Sequence, residues 1–345
     1  MLRAPPLCRT LEACLRDVGR KDPRVRASAV RDLAAHADRA RSRVIGALEA
    51  ALRDPSPEVR SAAAIALADT NGVEVLSALL CAIEDEDPFV CQMAIAAIGE
   101  TRDPRSRERL RRALGDERPE VRFQAVIAFV RVAPEEAAEA IGGALSDPDP
   151  SVRYVAIRVA EEHGDTSRIA PRLAELTADS DADVRIAAAI ALAHGGDDRG
   201  ASVLLEVVSR RLAPREGDDE AAAVELVGEM GLAAAVPHLE QRAFGIMARL
   251  GREAFAFQAL VALARMGHER ASSRIVRDLG SRSRDRRTLA VAAAGRSRLL
   301  CARSLIEAMR GDETRAEPEA VKEALQALVP EANLKFPERK PDLRW

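Results

Sequence analysis

A valine recurs at Val25, Val59, Val90, Val121, Val152 and Val184, spaced by 34, 31, 31, 31 and 32 residues, and the same short pattern surrounds each copy. Arginine follows the valine in five of the six copies, as Arg26, Arg60, Arg122, Arg153 and Arg185. Proline stands two residues before it in five, as Pro23, Pro57, Pro88, Pro119 and Pro150. An aspartate stands five before it from the second copy on, as Asp54, Asp85, Asp116, Asp147 and Asp179, and alanine comes four after it in every copy. Self-similarity at a fixed period of this size is the signature of a stacked array, in which each unit buries its apolar face on its neighbours. The 345 residues therefore measure the number of repeats rather than the number of globular domains.

Aromatic residues make up only 3% of the chain while alanine, leucine and valine dominate its apolar half, a balance that suits closely spaced helices better than sheets with bulky cross-strand pairs. The expected fold class is all-α. Each unit reads as a helical hairpin. In the third, Val75, Leu76, Leu79, Leu80 and Ile83 form an amphipathic first helix, Asp85 to Pro88 a tight corner, and Val90 to Gly99 the second helix. The corner aspartate is expected to cap the helix that follows, and proline is tolerated in a first helical turn.

The string Asp-Pro-x-Pro-x-Val-Arg-x-x-Ala, at residues 54–63 and again at 147–156, resembles the HEAT repeat in the short form also found in phycobilisome lyase-type repeat proteins. The resemblance implies an α-solenoid of about ten hairpins, the last three or four divergent. It also implies a ladder of hydrogen bonds between repeats, with Arg60, Arg122, Arg153 and Arg185 set against Asp54, Asp116, Asp147 and Asp179. A planar guanidinium suits such a ladder because it binds a carboxylate through two parallel contacts. Cys91 replaces the ladder arginine in the third unit and is expected to weaken that junction.

Clear matches cover residues 22–195; beyond them Glu220 to Gly231, Arg252 to Gly267 and Asp285 to Arg298 keep helical periodicity but lose the Asp-Pro corner. The expected organisation is regular repeats over 1–211, divergent helical repeats over 212–331, and an extended tail over 332–345. Leu212 to Asp219 is the candidate joint, and a separate C-terminal domain is the alternative. In the tail, Phe336 and Trp345 are expected to pack back on the last repeat, or else to be offered to a partner.

The net charge of −3 exerts no global pull on nucleic acid or membrane, but residues 235–310 hold 15 Arg against 6 Asp plus Glu, +9, which leaves −12 for the rest. Within that segment Arg274, Arg277, Arg282, Arg284, Arg286 and Arg287 form a candidate patch for an anion or an acidic partner. No aromatic residue is interleaved with them to stack bases, so nucleic acid is the disfavoured occupant. Cys8, Cys14, Cys81, Cys91 and Cys301 are scattered and never form Cys-x-x-Cys, which points to buried free thiols in a reducing compartment. No long apolar run or signal-like stretch occurs, so a cytoplasmic protein without a membrane span is expected.

With the second helices in register, the valine and the positions four and eight after it project to one side, which is core; the positions two and six after it project to the other. In HEAT arrays the second helix lines the concave surface. If that carries over, Ile65, Phe123, Ile127, Tyr154, Ile186 and Ile190 form an apolar strip in a groove for a partner helix or extended peptide, with Arg158 on its rim. The competing expectation is that neighbouring helices cover these side chains. Catalytic signals are thin. His36, His163, His194, His238 and His268 are far apart, with a single His-Glu pair at 268–269, unlike the several pairs by which the related deoxyhypusine hydroxylase binds metal. The expected protein is a non-enzymatic, cofactor-free scaffold that binds another protein; alternatives are a lyase-like subunit holding a tetrapyrrole or other ligand, or nucleic-acid binding through the basic segment.

Overall fold

The computed structural model describes residues 9–70, 75–163 and 166–329; the tail expected over 332–345 lies outside them. Among the described residues there is no strand, and the fold is an all-α solenoid type in which helical hairpins stack within each unit. It divides into two compact units, residues 1–172 and 173–345.

In the first unit the hairpins are α1 (Leu11–Asp17) with α2 (Pro23–Leu33), α3 (Ala37–Ala51) with α4 (Pro57–Asp69), and α5 (Leu76–Ala82) with α6 (Pro88–Thr101). Then come α7 (Arg107–Ala113) with α8 (Pro119–Val132), and α9 (Ala137–Ala144) with α10 (Pro150–His163). The helix α11 (Thr166–Leu176) spans the chain division. The second unit continues with α12 (Ala182–His194), and α13 (Ala201–Val208) with α14 (Gly217–Glu229). Next is α15 (Val236–Phe244) with α17 (Ala256–Arg265), interrupted by the single turn α16 (Ile246–Arg249). The last two are α18 (Glu269–Leu279) with α19 (Arg284–Arg296), and α20 (Arg303–Glu307) with α21 (Pro318–Ala327).

The second helices begin at the proline rather than at the valine expected to open them. Pro57, Pro88, Pro119 and Pro150 each occupy the first helical position, where a missing N–H costs nothing. The capping assignment shifts with the start. Asp54, Asp85, Asp116, Asp147 and Asp179 each accept from the N–H two residues on, at 2.9 Å, and so shape the turn rather than cap the helix. Capping falls to the next position, where Asp22, Asp87 and Asp181 accept from first-turn amides.

The second helices pack in order on one another within each unit, α2 to α10 in the first and α12, α14, α17, α19 and α21 in the second. The alanine four after each valine is fully buried in all six copies, and Leu33, Leu67, Ile98, Phe129 and Leu192 are buried as the register requires. Where the helices approach most closely, even alanine is too large. A Cβ built on Gly99 would lie 3.0 Å from the Ala128 Cα, one on Gly228 2.6 Å from the Ala262 Cα, and one on Gly295 2.7 Å from the Ala324 Cα.

The ladder runs between successive corners. Arg26 binds Asp54 through two contacts of 2.7 Å; Arg60 binds Asp85 at 2.8 and 2.9 Å; Arg122 binds Asp147 through two of 2.8 Å. Each of these arginines, and Arg153 and Arg185 as well, also donates from Nη1 to the carbonyl six residues before it. Thus Arg26, absent from the sequence expectation, is a rung, and the Asp54 carboxylate binds it while Arg60 takes the Asp54 carbonyl.

At the third junction the rung is replaced rather than lost. Arg118, at the cap of α8, donates to Asp116 at 2.9 and 3.0 Å and to the Asp85 carbonyl at 3.2 Å, the acceptor types a rung arginine would use. Cys91 then needs only to be small, and its buried thiol donates to the same carbonyl. The weakened junction expected from Cys91 is therefore not what the packing shows. Arg118→Ala is expected to cost about 1.5–3 kcal/mol, the range for a hydrogen bond to a charged group. The hydrogen bonds of Arg118 hold the Asp116 carboxyl below its ordinary 3.8. The contribution is complete above that value and disappears as pH falls through the depressed one. Urea midpoints should thus separate Arg118→Ala from the parent most at neutral pH and draw together on acidification, short of the part owed to the Asp85 carbonyl; a gap undiminished in acid would contradict the assignment.

Candidate functional site

On a helix the positions two, six and ten after the valine share a face. In the first unit that face is covered at Ala27 and Ser61 and stays at least partly open at the positions that follow. At the sixth position Arg31 is exposed, Ile65 is 40% exposed, Ala96 and Ile127 are half-buried, and Arg158 is exposed. At the second position Phe123 and Tyr154 are half-buried, and at the tenth Asp69, Glu100, Arg131 and Glu162 are exposed. Arg131 pairs with Glu100, and Arg158 with Glu161 at 3.2 Å. Apolar side chains thus occupy the middle of the row, with charge at its ends and along one edge.

Two members of the expected strip do not belong to it. Ile186 and Ile190, at 0% and 1% exposure, sit in one apolar cluster with Leu204, Val207 and Val224. Burying each side chain is worth about 2 kcal/mol, so where α13 and α14 pack against α12 the covered arrangement wins. The competing core reading holds for α12, while in the first unit Ile65, Phe123, Ile127 and Tyr154 stay partly open.

The arginine cluster also divides. Arg287 is a rung: the fourth residue of its helix, as Arg60 is of α4, it donates to the Ser281 carbonyl at 2.6 Å and to that of Thr314 at 2.8 Å. Arg284 donates to the Glu313 carbonyl at 2.8 Å, while Arg277 and Arg282 are exposed. Arg274 and Arg286 instead face a cleft of about 600 Å³ between α15, α16, α17, α18 and α19. Arg249 and Arg270, which sequence reasoning left out, complete it. The spacing of Arg270, Arg274 and Asp278 along one stripe of α18 was a legible signal; Arg249 carried none, because its place depends on the extra turn α16.

The cleft walls are apolar, with Phe244, Phe257, Leu260 and Leu289, and the Arg270 guanidinium lies 4.2 Å above the Phe244 ring. Arg274 pairs with Asp278 at 2.6 Å, and Arg249 donates to the Phe244 carbonyl at 3.1 Å. Among the described residues Arg249, Arg270 and Arg286 have no carboxylate partner. The loop beside the cleft is fixed from below: the buried Arg242 reaches Glu253 at 3.3 Å and Glu220 at 2.7 Å, and Arg210 also pairs with Glu253. Gly251 at φ +68° and Gly245, whose added Cβ would meet the Gln241 carbonyl at 2.2 Å, permit its path.

Among the described residues no three His, Cys, Asp or Glu gather where they could hold a metal ion. His268 contacts Glu240 at 3.1 Å, and His36 the Arg9 carbonyl at 2.8 Å. Cys14 and Cys91 are buried free thiols, with burial pushing both up; Cys81 and Cys301 are exposed, contrary to expectation, because they lie on short first helices or turns with one open side. No helix among the described residues is long and apolar enough to cross a membrane.

The family model of HEAT repeats matches residues 9–95, 77–145 and 139–215. No curated protein sequence matches the chain. Among solved structures, the YibA protein of Escherichia coli is similar with a TM-score of 0.55 and 20% identity, over 75% of this chain and 92% of its own. Importin beta is similar with a TM-score of 0.50 and 13% identity, over 92% of this chain and 51% of its own. The CpcE–CpcF complex of phycocyanin lyase from Nostoc aligns at a TM-score of 0.42 and 19% identity, over 69% of this chain and 94% of its own, and carries no argument about chemistry. The likenesses to YibA and importin beta bear on architecture alone.

Proposed function

We propose, from the premise that the chain belongs to the HEAT-repeat family, that it is a non-enzymatic scaffold whose second-helix face in the first unit binds another protein. The observation that carries the reading is Ile65, left 40% exposed in the middle of a row whose further members, Ile127, Phe123 and Tyr154, are only half covered. A solvated helix face would carry lysine, glutamate or glutamine at these positions, and an apolar row with a charged rim suits a partner helix or extended segment. Affinity in such interfaces concentrates in a few aromatic, arginine or large aliphatic anchors, here Phe123, Tyr154, Arg158 and Ile65.

Affinity capture from the native host with the immobilised chain tests the reading. Ile65→Ser combined with Tyr154→Ser is expected to weaken capture of the specific partner at least tenfold, about 1.4 kcal/mol. The melting temperature should move little, because both side chains already face solvent in part. Undiminished capture by the double variant would remove this face from consideration, and a large fall in melting temperature would place the two residues in the core.

A further inference from the structure

We infer that the cleft between α15 to α17 and α18 to α19 is a second binding site, and that its occupant is an acidic peptide segment of a partner carrying apolar side chains. The inference is independent of the first-unit face, since every residue it uses lies in the second unit.

The register of α19 shows how the cleft arises. Arg286 stands at the position held by valine in the regular repeats, third in its helix as Val59 is in α4. In the second to sixth copies that valine is 0–1% exposed; Arg286 is exposed and opens onto the cleft. A guanidinium therefore replaces a core methyl pair just where the preceding hairpin inserts an extra turn.

Charge selects the occupant. Arg249, Arg270, Arg274 and Arg286 line the cleft against Asp278 as the single acidic residue, and three of the four arginines lack a carboxylate among the described residues. Elsewhere Arg26, Arg60, Arg122, Arg242 and Arg265 all have theirs. Guanidinium groups beside apolar walls offer a carboxylate two parallel contacts, and apolar side chains of the same segment can cover the walls.

Size selects a peptide over a small anion. Apolar exposure continues past the cleft onto its rim, with Ile246 at 74%, Leu250 at 62% and Met247 at 47%. A molecule confined to the cavity leaves these in water, whereas a peptide laid across the mouth covers them. The Arg242 and Glu253 pair tethers the loop that follows the rim, which lowers the ordering that binding requires. Residues 330–345 of this chain do not fit the charge requirement, carrying four basic residues (Lys335, Arg339, Lys340 and Arg344) against three acidic ones.

The test is selection from a random dodecapeptide library on the full chain. Acidic sequences with leucine, isoleucine or phenylalanine should be enriched. Their affinity should fall at least tenfold on Arg270→Gln with Arg286→Gln, which removes charge at constant fold, and comparably on Ile246→Ser with Leu250→Ser. No enrichment, enrichment of neutral or basic peptides, or equal binding to both double variants would overturn the inference. Binding to phosphatidylcholine vesicles carrying phosphatidylglycerol without peptide enrichment would overturn it in favour of a lipid surface. Capture through Ile65 and Tyr154 is unchanged by these substitutions, so the two sites fail separately.

Discussion

Alanine in place of Gly228 is expected to destabilise the second unit by about 1–3 kcal/mol, the usual cost of overpacking. Helix propensity alone argues the opposite sign, since exchanging glycine for alanine inside a helix favours the helix by up to about 1 kcal/mol. Packing decides. The added Cβ would stand 2.5 Å from the Ala262 Cβ and 2.6 Å from its Cα, atoms that move only if α14 and α17 separate. Gly46, inside α3, has nothing within 4 Å of its Cβ position and supplies the matched control: Gly46→Ala should gain about 0.5–1 kcal/mol. Urea denaturation of the two variants, with hydrogen exchange of the α14 and α17 amides, checks both signs. A stabilised Gly228→Ala would mean that the helices are not in this close contact.

Arg242→Ala should be more damaging, at about 3–5 kcal/mol, because it strands a partner that is itself buried. The side chains of Arg242 and Glu253 are 2% and 5% exposed, and Arg242 also donates to the Val208 carbonyl at 3.1 Å. Removing the guanidinium leaves that carbonyl and part of the Glu253 carboxylate unsatisfied. Arg210, half in solvent, remains as the only other cation paired with Glu253 among the described residues. A double-mutant cycle with Glu253→Ala isolates the pair: the two losses should fall well short of additive, since the second substitution removes the charge that the first left behind. Full additivity would show that the pair is not coupled. The same variant frees the loop bearing Ile246 and Leu250, so binding at the neighbouring cleft should weaken with it.

Much of the architecture was legible because its cause is periodic. Buried alanine four after each valine recurs through all six regular copies, and proline at the helix start and arginine beside the valine through five each. The arginine at the fourth helical position extended even to Arg287, where valine and aspartate are gone, because two carbonyls of the following corner accept in place of a carboxylate. The candidate sites were less legible. Ile65 and Ile190 occupy the same register position, yet one is 40% exposed and the other 1%. Likewise Arg274 and Arg277 share a short run of sequence, but only Arg274 turns into the cleft.

The chain's own order of residues determined that hairpins form, how long they are and which stripe of each helix is apolar, since these follow from spacing within a single helix and its corner. Which apolar side chains stay in water, which arginines are consumed as rungs and where a cleft opens were decided by the tertiary structure. Each of those outcomes depends on how near a neighbouring helix comes. That distance is set by pairs such as Gly99 with Ala128, Gly228 with Ala262 and Gly295 with Ala324 and by the inserted turn α16, contacts between residues on different helices or in a non-repeating loop that a pattern within one helix does not encode.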